Sequence, residues 1–393
     1  MIIPLILAGG AGKRLMTGIG AQCKAKPFLN LFGMETLLEQ AVKRTEALGY
    51  GKPWVSINET QLPHLSDEFR DRIDTIIAEP SQRDTMPALT FACMEASKKD
   101  KDAIVIAIPA DQFYADQQDF VDCIHDAVHM ASAQKKMVVV GSRAKTPNTN
   151  FGYITTEGDT VKYFSEKPLV YTAMKLYKDP NVYWNTGILV TKASSFTGYA
   201  QVFDDHNTHE FIWSAHTTAI REGKLISPDV EYYLKTHAVS FDKGMLSRFG
   251  GQTQNLLMAK LKSDWYDLGT FKGMLSFLQE DPKGKTFQMA KPWGWHSVLM
   301  HDDKCKVKLL CIMPRQNISL QSHKYRSDQW TIMSGRCKVK INGTMVELSK
   351  DSSSFIDKGV IHQVINSFNQ PVYILEVQQG DILEETDIVR IPT

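Results

Sequence analysis

From the N-terminus to about residue 289 the chain alternates two apolar patterns. Unbroken short runs, LILA at 5–8, WVSI at 54–57, TIIAE at 75–79, AIVIAIPAD at 103–111 and MVVVGS at 137–142, read as parallel strands buried on both faces. Between them, ETLLEQAVKRTEAL at 35–48, MPALTFACMEASKK at 86–99 and DFVDCIHDAVHMASA at 119–133 repeat apolar residues near every 3.6 positions, as crossover helices do. The alternation predicts a doubly wound, Rossmann-like α/β sheet. Pro4 is awkward in a central strand and is best tolerated as a strand's first residue.

The rhythm then changes twice. FGYITTEGDTVKYFSEKP at 151–168 reads as two extended segments around a turn, a hairpin beside the sheet. Past the polar, breaker-rich EDPKGKTFQMAKP, nearly every run is strand-like: KVKLLCIM, QWTIMSG, CKVKINGTMVEL with its Asn342-Gly343 turn, SSFI and VYILEVQQG. The expected organisation is an α/β domain over residues 1–280, a linker over 281–291 and an all-β barrel over 292–393.

Composition narrows the partners. Among 393 residues, 45 Lys+Arg stand against 44 Asp+Glu for a net charge of +1, and no basic block offers to neutralise nucleic-acid phosphates. Six scattered cysteines, with no C-x-x-C pair, suit a reducing compartment. The opening MIIPLILAGG has no basic residues ahead of its short apolar run, and no run approaches the roughly 20 residues that cross a bilayer. The expectation is a cytoplasmic protein with neither nucleic-acid nor membrane partners.

LAGGAGKRL at 7–15 is a glycine-rich loop that fails two fingerprints. The frame G-x-G-x-x-G beginning at Gly10 ends on Leu15, and a P-loop would need glycine where Leu7 stands and Ser or Thr where Arg14 stands. What remains is a strand entering Gly9, Gly10 and Gly12, whose bare backbone admits anionic oxygens, with Arg14 and Lys26 as cations beyond. Asp111, after AIVIAIPA, and Asp267, in DWYDLGTF, stand where strands should end and together suit a divalent ion held against phosphates. Singly, each reads equally as a cap or turn residue.

These pieces, with KPFLNLFG, EPSQRDTMPA, PADQF, FGYI, VKYFSEKP and WNTGILV in order, resemble the sugar-1-phosphate nucleotidyltransferases, and most closely the mannose-1-phosphate guanylyltransferases that carry a C-terminal type II phosphomannose-isomerase cupin. The resemblance implies that GTP and a sugar 1-phosphate bind over the strand ends. Gly9, Gly10, Gly12 and Arg14 would hold the triphosphate, Lys26 (or Lys24) would contact the reacting phosphate, and Asp111 and Asp267 would hold Mg2+. Glu79, Arg83 and Thr85 would lie near the base and triphosphate; Glu166 and Asn185, with Gly152, would meet the sugar, and Lys167 its phosphate. No protein nucleophile is needed, since the attacking group is already an anionic phosphate and cations relieve the repulsion. One departure is MTGIGAQCKAKPF after Arg14-Leu15, where similar enzymes carry Trp-Pro and a short run to Pro-Lys.

In the second domain Gln321, His323, Asp328 and His362 resemble both halves of a cupin metal motif and suit Zn, Fe, Ni or Mn. Asn317 stands where similar isomerases have arginine, Lys324-Tyr325 where they continue a histidine run, and Asp328 where they have glutamate. Isomerisation of mannose 6-phosphate is therefore expected to be weak or absent, leaving stability, homo-oligomer contact or ligand sensing as other roles for the cupin. The rivals to the leading reading are a non-catalytic nucleotide-sugar sensor and a nucleotidyltransferase for a different sugar 1-phosphate.

Overall fold

The unbroken apolar runs become the strands of one sheet. In chain order these are β1 (Ile2–Leu7), β2 (Trp54–Asn58), β3 (Thr75–Glu79), β4 (Ile104–Pro109), β6 (Met137–Arg143), β7 (Tyr153–Glu157), β8 (Thr160–Ser165), β9 (Val182–Lys192), β10 (Ile220–Glu222), β11 (Leu225–Ser227) and β12 (Leu256–Leu261), while a short β5 (Gln112–Tyr114) stands outside this sheet. The computed structural model describes residues 1–10, 25–203, 207–249, 255–301 and 303–392. Two compact units divide the chain, one of residues 1–11 and 38–266 and the other of residues 12–37 and 267–393.

In the first unit eleven strands run in the order β10-β11-β3-β2-β1-β4-β9-β6-β12-β8-β7, with β7 also pairing β9. β3, β2, β1 and β4 are mutually parallel, and β1 and β4 share a six-residue ladder from Ile2–Ile104 to Leu7–Pro109. Pro4 is the third residue of β1 rather than the first, and the ladder to β2 begins one residue beyond it, at Leu5–Trp54. The five runs read as parallel strands, β1 to β4 and β6, share one direction, but a strand outside that reading stands among them. β9 lies between β4 and β6 and runs antiparallel to both; a strand buried on both faces carries the same apolar run whichever way it points. The hairpin of β7 and β8, turning at Gly158 with φ 62°, is part of the main sheet's edge rather than an insertion beside it.

Helices cover both faces. Thr85–Lys99 buries Met86 through Cys93 and Ala96 against one, and Gln117–Gln134 buries Phe120, Ile124, Ala127 and Ala131 against the other. Glu95 is buried within the first of these helices, where Arg221 Nη2 meets it at 2.7 Å and His216 Nε2 at 2.8 Å.

The second unit joins β13 (Trp265–Asp267, of which Asp267 belongs here) to β14 (Met289–Lys291), β15 (Gly294–His301), β16 (Cys305–Ile312), β17 (Gln321–His323), β18 (Arg326–Ser334), β19 (Arg336–Ile341), β20 (Thr344–Ser349), β21 (Ser353–Ile356), β22 (His362–Ile365), β23 (Val372–Gly380) and β24 (Ile388–Arg390). β14 to β24 form a six-stranded sheet, β14-β15-β16-β23-β18-β21, and a five-stranded one, β20-β19-β22-β17-β24. Leu310, Trp330, Ile332, Val339, Val364 and Ile374 fill the space between the sheets as one core. Asn342 and Gly343, at φ 46° and 87°, make the tight turn between β19 and β20. Residues 281–291, expected as linker, hold the helical turn Pro282–Thr286, capped by Asp281, and β14. Residues 25–37 belong to this unit as well: Phe32, held at φ 60°, packs its ring 5.4 Å from that of Phe277 and 5.3 Å from that of Phe287.

Burial alone would raise the pKa of Glu95, but hydrogen bonds from His216 and Arg221 and their charges pull it down to about 2 from an ordinary 4.5. A carboxylate depressed in the folded state stabilises above its unfolded pKa and loses that contribution as pH falls through the folded one. Melting of wild type and Glu95→Gln from pH 7 to pH 2 is expected to show the wild-type advantage shrinking below about pH 4.5, by up to ~3 kcal/mol. Parallel curves would show that the pair contributes nothing.

Candidate functional sites

Because β1 to β4 are parallel and in register, their C-terminal ends open on one edge, and the order reverses between β1 and β4. Crevices at such reversals are where open α/β sheets bind ligands. Gly9 and Gly10 follow β1, Glu79 ends β3, and Asp111 occupies the turn after β4. A side chain at Gly9 would place its Cβ 2.8 Å from Glu79 Oε1 and so would displace a carboxyl that Ser56 and Tyr233 hold. Glu79 is buried and accepts from Ser56 Oγ at 2.6 Å and from the Tyr233 hydroxyl at 2.8 Å. Burial holds its pKa above the ordinary value against these two donors.

Asp111 is placed by its neighbours. Buried Arg44 donates to the Gln112 carbonyl at 2.7 Å, with its guanidinium 4.9 Å from the Tyr114 ring centroid. Burial lowers the Arg44 pKa, opposed by Tyr114 and by the charge of Asp111. The Gln112 side chain in turn donates to the Thr186 carbonyl, which ties this turn to the segment carrying Asn185.

A second cluster gathers around a residue the sequence reading missed. Asn185 donates from its backbone to the Gly152 carbonyl at 2.8 Å and from Nδ2 to Asp242 Oδ1 at 2.7 Å. Glu166 and Lys167 form an ion pair at 2.6 Å, and a Cβ on Gly152 would sit 2.7 Å from the Phe164 ring and 3.0 Å from Glu166 Oε2. Burial, and then the charge of Glu166, push Asp242 up to about 7 despite Lys167 and the Asn185 hydrogen bond. The only signal for Asp242 in the sequence is an acidic residue in VSFDKG, which reads as a helix-start residue; its neighbours come from three distant segments.

Arg83 and Thr85 connect the clusters. Arg83 Nη2 donates to the Leu234 carbonyl at 2.6 Å, and Thr85 Oγ1 accepts from the Phe241 N–H at 2.8 Å, one residue before Asp242. Asp84 between them, at φ 66°, adds its charge to both Glu79 and Asp242.

Gly12, Arg14 and Lys24 lie outside the described residues. Lys26 opens the turn Lys26–Phe28 and, like Asp267, belongs to the second unit. Asp267 Oδ1 accepts from the Gly269 N–H at 2.9 Å, and a Cβ on Gly273 would meet the Asp267 carbonyl oxygen at 1.8 Å, so the helix Phe271–Glu280 needs glycine in its first turn.

In the barrel, His323, Asp328 and His362 are fully enclosed and bring ligand atoms within 4.8 Å of one another. His323 Nε2 stands 3.1 Å from Asp328 Oδ2, yet neither ring nitrogen nor either carboxylate oxygen has a hydrogen-bond partner. His362 Nδ1 is 2.9 Å from the Val360 carbonyl, which fixes the proton on that nitrogen and leaves Nε2 as a lone-pair donor; burial lowers its pKa and favours the neutral, ligating ring. Orphaned donors of this kind fit a first-row divalent metal. Gln321 presents Nε2, 3.5 Å from His362 Nε2, while its oxygen takes Ser319 Oγ; a ligand role requires the amide turned over, which preserves its shape.

Beside this set opens a cavity lined by Lys291, His296, Lys308, Arg326, Glu376 and Arg390, among others. Arg326 and Lys308 are buried, so the wall is cationic, which no run of residues in the sequence displays. Glu376 accepts from Trp330 Nε1 and Gln378 Nε2, both at 2.9 Å.

Comparison with known proteins matches residues 3–284 to the family "Nucleotidyl transferase" and residues 280–393 to "Mannose-6-phosphate isomerase C-terminal". The chain is 24% identical to a mannose-1-phosphate guanylyltransferase of Klebsiella pneumoniae over 100% of its own length and 98% of the relative's. Among solved structures, one titled mannose-1-phosphate geranyltransferase from Thermus thermophilus superposes with a TM-score of 0.60 at 23% identity, over 72% of this chain and 80% of that one. A mannose-6-phosphate isomerase from Helicobacter pylori gives 0.56 at 23% identity, over 68% of this chain and 99% of that one.

Metal analysis after dialysis against trace Zn, Fe, Ni and Mn is expected to find close to one divalent ion per chain in wild type and less than about a tenth of that in His323→Ala or His362→Ala, since losing one of few ligands removes most of the affinity. Equal loading in wild type and both variants would place the ion elsewhere.

Proposed function

We propose that this chain, which belongs to the nucleotidyl transferase family, transfers guanylyl from GTP to mannose 1-phosphate, giving GDP-mannose and pyrophosphate in the cytoplasm. The observation that carries this reading is the juxtaposition, at one edge of the sheet, of Gly9, Glu79 and Asp111 with the cluster of Gly152, Glu166, Lys167, Asn185 and Asp242. The names of the relatives supply the substrates. A phosphate oxygen of the sugar attacks the α-phosphate and pyrophosphate leaves, so the chain's residues act by positioning and by charge. Lys167 is drawn toward the sugar phosphate, and Glu166, Asn185 and Asp242 toward sugar hydroxyls. Asp111 would hold magnesium, whose charge relieves repulsion between the phosphates. Guanine offers adjacent N–H donors to a carboxylate, which supports Glu79 as the group favouring that base.

A second reading is favoured by the barrel cavity. Lys291, Lys308 and Arg390 offer the positive charge that Asn317 lacks, next to a donor set that fits a metal. In place of the weak or absent isomerisation expected from Asn317 and Asp328, the barrel is thus read as an isomerase of a phosphorylated hydroxy-aldehyde, mannose 6-phosphate being the candidate carried by the family match.

A matrix of four nucleoside triphosphates against sugar 1-phosphates, with pyrophosphate release as readout, is expected to give its highest specificity constant for GTP with mannose 1-phosphate; no pyrophosphate from any pair would leave a sensor in place of an enzyme. Asp111→Asn is expected to lower kcat by roughly 10² to 10³ with melting unchanged, as loss of one preorganised charge contact does. Asp242→Asn is expected to raise KM for the sugar phosphate about tenfold with the KM for GTP unmoved, consistent with one lost hydroxyl contact.

A further inference from the structure

We infer that Glu376 is the barrel's proton carrier, the carboxylate that takes a proton from one carbon of an open-chain hydroxy-aldehyde phosphate and returns it to the next. The inference rests on the isomerase reading above and adds to it the group that performs the transfer.

Position comes first. In the antiparallel ladder of β18 and β23, Asp328 faces Gln378 and Trp330 faces Glu376, so all four side chains share the inward face and Glu376 stands one pair along from the metal-ligand set. The carboxyl lines the cavity, and Trp330 and Gln378 each hold one of its oxygens at 2.9 Å. With one donor on each oxygen, a lone pair on each remains for a substrate. Gln378 Oε1 is itself buried without a partner on the same wall, so the wall has unused polar capacity where hydroxyls would lie.

The other titratable groups lining the cavity are less suited. Glu385 lies among cations, 3.8 Å from Lys308 and from Arg390 and 4.0 Å from Lys291, and against partial desolvation these charges hold its pKa low, so it serves as a permanent counter-ion. His296 is pushed down to about 4 by burial and by the charges of Lys308 and Lys291, which leaves it a weak base. Asp328 is committed to the metal-ligand set. Unlike Glu385, Glu376 is held by two neutral donors, Trp330 and Gln378, and burial raises its pKa above the ordinary carboxyl value.

The step balances without an oxidant. The C2 proton passes to a Glu376 oxygen, its bonding pair becomes the C1–C2 double bond, the carbonyl π pair moves onto O1, and O1 takes a proton from water to give the enediol. The double-bond pair then takes the Glu376 proton at C1 while O2 releases its proton to water and forms the C2 carbonyl, which leaves the ketose and restores the carboxylate.

The experiment uses the full chain with bound metal, mannose 6-phosphate and D2O. Wild type is expected to form the ketose and to exchange deuterium into the sugar. Glu376→Gln is expected to lose turnover and exchange by about 10² or more, the usual contribution of a general base, while metal content, guanylyl transfer and the affinity for mannose 6-phosphate stay within about threefold. Should the Gln variant lose its metal, Glu376→Asp decides: a fall of tenfold or more at full metal loading supports the assignment, and an unchanged rate overturns it. Turnover of Glu376→Gln within tenfold of wild type overturns the assignment alone. Wild type showing neither turnover nor exchange overturns the isomerase reading, and the inference with it.

Discussion

The parallel ladder between β1 and β4 is the constraint on which the first unit's site depends. Six paired residues, Ile2–Ile104 through Leu7–Pro109, bring both strands to the same edge in step, and only then do Gly9 and Asp111 begin neighbouring loops. A slip of one residue would turn β4 over, sending Ile104, Ile106 and Ile108 into the core that fits Val105 and Ala107, and the reverse. Register at the edge is therefore enforced by the whole core beneath it. The short range of hydrogen bonds does the remainder, since Arg44 grips the Gln112 backbone and Gln112 grips that of Thr186, and two strands far apart in sequence deliver Asp111 and Asn185 to defined places.

The barrel solves the same problem with alternation. Along β18 and β23 the inward face is apolar toward one end, at Ile332 and Ile374, and polar toward the other, at Asp328, Glu376 and Gln378. The apolar end supplies burial, and the polar end keeps charges of both signs in a confined space where they perturb one another. Buried groups left without hydrogen-bond partners, such as Asp328 and His323, are costly unless something satisfies them. That cost is the physical reason for reading the polar end as a site rather than as packing.

How much of this was legible beforehand depended on range. Strands and crossover helices follow from local periodicity, and the runs at 54–57, 75–79 and 103–111 all became strands. The direction of β9 did not follow, because a strand buried on both faces has no sequence mark of its neighbours' sense. Glu166, Lys167 and Asn185 stood out through short motifs, whereas Asp242 joined them only through a hydrogen bond spanning 57 residues. Glu376, in VYILEVQQG, looks like an ordinary outward polar residue of a strand until the second sheet closes over it.

Phe32 has a consequence for how the chain comes into being. Its ring belongs with Phe277 and Phe287, so a segment synthesised almost first is completed by residues synthesised roughly 250 positions later. Residues 38–266 with the first strand have their own core and can close as soon as they leave the ribosome, but residues 25–37 must wait, their apolar side chains uncovered, until the last third of the chain arrives. Chain elongation rather than local stability then times the second unit. Substitutions in this stretch should appear first as losses of soluble yield during synthesis, before any change in the behaviour of the finished molecule.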